Sequence, residues 1–380
     1  MRVMIVVTHL LGTGHLARAL TLARAFDAAG HTSCVVSGGM PVPHLTTGET
    51  ELIQLPPLRS DGTSFARLLD ETGTPAGAEI MTARSTALTS AITACEPDVL
   101  ITELFPFGRR VLKDEFLVAL ETAAALNPAP LILSSVRDIL APPSKPARVS
   151  ATADVLDRFY DAVLVHADAS ISPLEDSWPV TPEIRQKLRY TGYVARPAAA
   201  GKPHTDRTGI VVSTGGGAVA DHLFDISIAC ARDMPRQQWH LLVTGENAAE
   251  RIARFQRSAG PGVEVTPASN AFAELLRRAA ASVSLCGYNT ALDVLQTDVP
   301  AVFVPFDADG ETEQTLRARA LARQAGISLL PNSALAPDTL KSAIQSVITA
   351  PARSAPAGIF DGASESVSIA EALWKGKYAD

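Results

Sequence analysis

The 380-residue chain is poor in cysteine: Cys34, Cys95, Cys230 and Cys286 are widely separated and form no CxxC pair. That scarcity argues against a disulfide framework or a zinc ribbon and fits a reducing compartment. Basic residues are not in excess either, with Lys+Arg 33 against Asp+Glu 40 and a net charge of −7. A protein whose main work is gripping nucleic-acid phosphates is not expected on that balance. No stretch approaches the ~20 apolar residues that span a bilayer. The opening MRVMIVVTHLLGTGH breaks its apolar run at His9 and offers no small-residue cleavage site. It reads as a first strand, not a signal peptide. No G-x-x-x-x-G-K-[ST] occurs, which removes the P-loop hydrolases. What remains is 47% hydrophobic and 19% charged, enough for full cores. The expectation is a cytoplasmic globular protein of two domains.

Short apolar runs alternate with helical patterns, as in a parallel sheet covered by helices. Strands are expected at Val3–Thr8, Ser33–Ser37, Asp98–Thr102, Leu131–Ser135 and Ala162–His166. A second set is expected at Gly209–Ser213, His240–Thr244, Val263–Val265, Ser282–Leu285 and Ala301–Val304. Between them, Ala195–Thr208 is rich in Pro, Ala and polar residues and lacks an apolar period. It reads as a linker, dividing the chain into residues 1–194 and 209–380. Met40–Arg84, with scattered Pro and Gly, reads as an irregular excursion. The final helix, Asp361–Lys377, is left open to packing on either domain.

Each half opens as strand, glycine loop, helix, which implies two doubly wound α/β domains with ligands at the carboxyl ends of their strands. The first loop, Gly12-Thr13-Gly14-His15-Leu16-Ala17, fits the dinucleotide fingerprint. Its second leg is missing, because Cys34-Val35-Val36-Ser37-Gly38-Gly39 ends without the acidic residue an NAD ribose needs or the Arg an NADP phosphate needs. The second loop, Ser213-Thr214-Gly215-Gly216-Gly217, is the better phosphate cradle, since consecutive glycines let backbone N–H groups converge. A third constellation runs Ser284-Leu285-Cys286-Gly287-Tyr288-Asn289-Thr290-Ala291-Leu292-Asp293, then Val299-Pro300 to Val304-Pro305-Phe306, then Glu311 to Leu321 with Glu313-Gln314.

This layout resembles the C-terminal half of family 28 glycosyltransferases of the GT-B fold, a group that includes the peptidoglycan N-acetylglucosaminyltransferases. A carboxylate seven residues before a Pro, a strand ending VPF and a Gln-bearing helix carry the likeness. Gly12–His15 looks like the family's first glycine loop with its His, and Thr191–Arg196 like the segment before the donor domain. The departures are Asp293 in place of a Glu and one glycine fewer in the first loop. The middle of the first domain, including Thr102–Arg109 and Ser134–Asp138, looks closer to a little-characterised glycosyltransferase branch, so no acceptor is carried over.

The resemblance implies two Rossmann-like domains facing a cleft. It implies inverting transfer from a nucleoside diphosphate sugar, UDP-sugar first, to an acceptor hydroxyl on a glycan or lipid-linked molecule. Donor contacts would come from Gly12, Gly14, Ser213, Thr214, Gly215, Gly216, Gly217, Gly287, Tyr288, Asn289, Thr290, Asp293, Glu313 and Gln314. Asp293 would take the ribose hydroxyls, against the plainer reading of an acid complementing a helix dipole. Glu313 and Gln314 would read sugar hydroxyls, against a solvent-facing helix start. The base is open between His15, kept neutral by its helix N-terminus, and Glu103 or Asp138 at strand ends. No cofactor or metal is expected, although Asp307-Ala308-Asp309 has the D-x-D form of metal-dependent sugar enzymes. Phe105, Phe107, Val111 and Leu112 beside Arg109-Arg110 read either as a peripheral contact with the inner membrane face or as a buried loop. An epimerase or hydrolase on the same fold, or a non-catalytic nucleotide-sugar binder, are the rival readings.

Overall fold

The computed structural model describes all residues except 44, 62–63, 196–205, 215–220, 246, 269–271, 308–310, 354–358 and 379–380, and the side chains of 64–66. Two compact units form, Met1–Arg196 with Gly358–Asp380, and Pro197–Ala357.

The first unit is built on an eight-stranded sheet of order β4-β3-β2-β1-β5-β6-β7-β8. In chain order its elements are β1 (Arg2–Val7), α1 (Gly14–Ala28), β2 (Thr32–Gly39), β3 (Glu51–Asp61), β4 (Ser64–Leu69), α2 (Ala78–Cys95) and β5 (Val99–Glu103). They continue with α3 (Lys113–Ala124), β6 (Leu131–Arg137), α4 (Pro146–Phe159), β7 (Ala162–His166), α5 (Pro182–Lys187) and β8 (Leu188–Tyr190). β1, β5, β6 and β7 are buried along nearly their whole length, which is why they read as continuous apolar runs rather than as alternation. Helix α1 lays Leu16, Ala19, Leu20, Ala23 and Phe26 against them at helical spacing.

The segment Met40–Arg84 is not an irregular excursion. β3 pairs parallel to β2, and β4 returns antiparallel to β3. Pro56-Pro57 inside β3 hid the strand, because Pro is tolerated only where a ladder hydrogen bond is dispensable. A register shift between Ser37 and Gly39 marks where that pairing is irregular.

The second unit carries a six-stranded parallel sheet of order β11-β10-β9-β12-β13-β14. Its elements are β9 (Ile210–Ser213), α6 (Asp221–Arg232), β10 (Trp239–Val243), α7 (Ala248–Ser258), β11 (Val263–Pro267), α8 (Phe272–Arg278) and β12 (Ala281–Ser284). Then follow α9 (Tyr288–Thr297), β13 (Ala301–Phe303), α10 (Glu313–Leu321), β14 (Ile327–Leu329) and α11 (Pro337–Thr349). Helices α6, α7 and α11 cover one face with Leu223, Phe224, Ile228, Phe255, Leu340 and Ile344.

The last helix, α12 (Gly362–Lys377), belongs to the first unit, where Val367 and Ala370 enter the core beside α1. Gly362 permits the entry: a Cβ there would lie 2.4 Å from the Gly192 carbonyl oxygen. At the far end Lys377 pairs with Asp161 at 2.9 Å.

Candidate active site

In the first sheet the strand order reverses between β1 and β5, so the loops leaving these strands flank one crevice at their carboxyl ends. Gly12 takes φ +66, a left-handed turn that L side chains resist, and lets the loop after β1 swing into α1. His15 then stands in the first turn of α1, with Nδ1 2.7 Å from Oε1 of Glu103, the last residue of β5. Arg18, one turn on, donates from Nη2 to the same oxygen. Arg109 Nη2 stands 3.9 Å from the other carboxylate oxygen.

The electrostatics follow from that crowding. Burial pushes the Glu103 carboxyl up, but His15, Arg18 and Arg109 outweigh it and hold the group well below the usual carboxylate range. Glu103 therefore stays an anion that only accepts hydrogen bonds. His15 Nδ1 is the protonated nitrogen donating to it, and Nε2 keeps the lone pair. Burial lowers His15 to about 4 against the pull of Glu103, so the ring is neutral near neutral pH. A carboxylate held this firmly ionised takes up protons poorly, and Glu103 accepts the hydrogen bond from His15. Asp138 is 2% exposed just past β6.

Behind this pair, His166 bridges Ser135 Oγ at 2.7 Å and Thr191 Oγ1 at 2.9 Å. Burial lowers it to about 3, so it is a neutral strut. The loop after Glu103 holds Leu104 at φ 67 and Arg109 at φ 56, left-handed conformations uncommon for such residues and concentrated at functional sites. Phe105 stacks on Phe116 at 4.6 Å, and Phe107 meets Trp178 edge-on at 5.2 Å. Both phenylalanines and Leu112 are buried, leaving Val111 as the exposed member of that run. The run is a buried loop and not a lipid-facing surface. Among the described residues no helix is long and apolar enough to cross a membrane.

In the second sheet the order reverses between β9 and β12, whose last residues, Ser213 and Ser284, are register partners. Ser213 and Thr214 are buried there. The adjoining Gly215, Gly216 and Gly217 lie outside the described residues, as do most of the 195–208 linker and Asp309. Helix α9 starts at Tyr288 with Gly287 as an extended cap, no side-chain cap bond, and open space where a Cβ would sit. A helix N-terminus of this kind favours an anion. Asn289 is exposed, while Tyr288 and Thr290 are half-buried. Asp293 is also half-buried, but in the second turn, and α9 has no acid in its first turn. Complementing the dipole does not account for Asp293, because that effect fades beyond the first turn.

Glu313 opens α10, its N–H bonded to Glu311 Oε1 at 2.6 Å. Gln314 bonds to the backbone of its own unit. Its Oε1 accepts from the Cys286 N–H at 3.1 Å and the Phe306 N–H at 3.3 Å, tying together the loops after β12 and β13. Arg317, 2% exposed, donates to the Cys286 carbonyl at 3.0 Å and lies over the Tyr288 ring. Sequence reasoning missed Arg317 and also Arg18. The signal for Arg18 was available in its place three residues after His15, one turn along the same helix. Gln314→Leu should strand both amides and destabilise the second unit by about 1–3 kcal/mol in urea unfolding. Unchanged stability with weakened donor binding would instead place Gln314 on the sugar. Among the described residues no group of three or more His, Cys, Asp or Glu is arranged to hold a metal ion.

Residues 210–373 match the glycosyltransferase family 28 C-terminal domain. No curated protein matches the chain. Among solved structures it is similar to CalG4, the calicheamicin glycosyltransferase, at 15% identity and TM-score 0.64 over 100% of this chain and 99% of that one. It is similar to MurG of Acinetobacter baumannii at 13% identity and TM-score 0.64, over 99% and 100%. A putative UDP-N-acetylglucosamine 2-epimerase of Listeria monocytogenes shares the architecture at 10% identity and TM-score 0.59, over 99% and 97%. At these identities the likeness to solved structures speaks to the fold, and the family match speaks to the second unit.

Proposed function

We propose that this chain, whose residues 210–373 match the glycosyltransferase family 28 C-terminal domain and whose fold is similar to solved glycosyltransferases, moves a sugar from a nucleoside diphosphate donor, UDP-sugar first, to an acceptor hydroxyl with inversion. The second unit would hold the donor. Asp293 takes the ribose hydroxyls, the glycines Gly215–Gly217 and the N-terminus of α9 take the diphosphate, and Glu313 faces the sugar. The first unit supplies the base. His15 Nε2 accepts the acceptor's hydroxyl proton as its oxygen attacks the anomeric carbon and the diphosphate leaves. Glu103 then stabilises the imidazolium through Nδ1. No metal or cofactor is called on, and the acceptor is a glycan or a lipid-linked molecule.

The observation that carries this reading is the hydrogen bond from His15 to Glu103 at the β1/β5 reversal, in a chain whose other unit is a family 28 domain. A binder that merely sensed the nucleotide sugar would have no use for a buried, oriented, neutral imidazole, since perturbed groups of this kind concentrate where chemistry is done. An epimerase or hydrolase would consume donor with no acceptor present.

A thermal-shift panel of UDP-, GDP-, dTDP- and CDP-sugars on wild type and Asp293→Ala tests the donor assignment. A donor at 100 times its dissociation constant should add about 2.7 kcal/mol of stability, and Asp293→Ala should lose that shift. The assignment fails if every nucleotide sugar leaves the wild type unshifted, or if Asp293→Ala shifts just as far.

A further inference from the structure

Helix α1 presents His15 and Arg18 on one face, one turn apart, and both meet the same oxygen of Glu103. Arg18 Nη2 is also 3.4 Å from His15 Nδ1, so the three groups form a closed triangle in which all are largely buried. A carboxylate held by an imidazole alone would direct its whole charge at the ring and draw a second proton onto it. A guanidinium on the same oxygen divides that charge while leaving the oxygen in place to orient the ring. We propose that Arg18 is a positioning residue for the base: by sharing Glu103 Oε1 with His15 it fixes the carboxylate against Nδ1 and keeps the resting ring neutral, with its lone pair on Nε2.

Other cations around the ring also disfavour its protonation. Arg109 approaches from the loop after β5 and Arg137 from the end of β6. Glu103 is the carboxylate that opposes them at His15. His166 on β7 is neutral and Asp138 follows Arg137 on the same segment. Arg18 differs from these cations in its contact. It donates to the oxygen that His15 uses, so its loss changes both the charge and the seat of the ring.

This inference rests on His15 being the base, and its test is chosen to stand apart from turnover. Histidine ring signals of the labelled full chain are followed by NMR against pH, with the His15 signal identified by its absence in His15→Gln. Wild type should show the Nδ1–H tautomer and a midpoint near pH 4. Arg18→Met should raise that midpoint by about one pH unit or more, and Arg18→Lys should return most of the shift. An Nε2–H tautomer in wild type, or a folded Arg18→Met with an unmoved midpoint, overturns the proposal. Should Arg18→Met not fold, the wild-type tautomer and the Arg18→Lys midpoint decide it. A midpoint that shifts as expected in a protein that turns over no nucleotide sugar would leave Arg18 in its role and remove the transferase reading alone.

Discussion

His15→Ala lowers kcat by about a hundred- to ten-thousand-fold, the usual worth of a positioned general base, while donor affinity stays within about twofold. The two quantities should separate because the proposed base sits in the first unit and most of the proposed donor contacts sit in the second. The pH dependence makes the prediction sharper. A protonated imidazole cannot take the acceptor's proton, so activity falls as pH drops through the ring's own midpoint. Burial puts that midpoint at about 4, well below the ordinary histidine value near 6.5, and the acid limb should appear there. Steady-state rates between pH 3.5 and 8, alongside donor titrations, check both parts. A limb near pH 6.5, or a His15→Ala enzyme with full kcat, would remove His15 from the chemistry.

The largest stability effect is expected away from the base. Arg84 is wholly buried between α2 and the sheet, where Nε and Nη2 grip both oxygens of Glu115 on α3 at 2.8 and 2.9 Å. Nη1 donates to the Gly38 carbonyl at 2.8 Å, at the carboxyl end of β2. Gly38 must be glycine for this, since a Cβ would lie 2.4 Å from Thr8 Oγ1 and 2.5 Å from Arg84 Nη2. Removing one partner leaves an uncompensated charge in the core, so Arg84→Met or Glu115→Ala should each destabilise the first unit by about 3–5 kcal/mol. The double variant Arg84→Met/Glu115→Leu should lose less than either single, because no charge remains stranded. Urea unfolding followed by amide exchange on β2 measures this. Equal losses in the double and single variants would mean that the carbonyl contacts, not the stranded charge, set the penalty.

Fold class was legible because parallel strands buried on both faces leave continuous apolar runs, and β1, β5, β6 and β7 carry them plainly. The β3–β4 hairpin was not, since Pro56-Pro57 carries the local chemistry of a turn and only the neighbouring β2 makes a strand of it. His15 and Asp293 were legible as candidates from their motifs. Phe105 and Phe107 could not be placed inside or outside from sequence, because their burial depends on Phe116 and Trp178, rings supplied by distant segments.

What the sequence determined by itself is local. It set the alternation of strands and helices, the glycine that turns the first loop, the histidine that follows it, and the carboxylate and glutamine of the second half. What only the tertiary structure decided is which groups share an oxygen. Glu103 lies 88 residues from His15, and Glu115 lies 31 from Arg84. No periodicity spans such separations. The strand order that sets β5 beside β1 makes Glu103 the hydrogen-bond partner of His15, and the packing of α2 on α3 closes a charge pair that neither helix announces. Charge and hydrogen-bond energies depend on distance in space, and the sheet sets those distances.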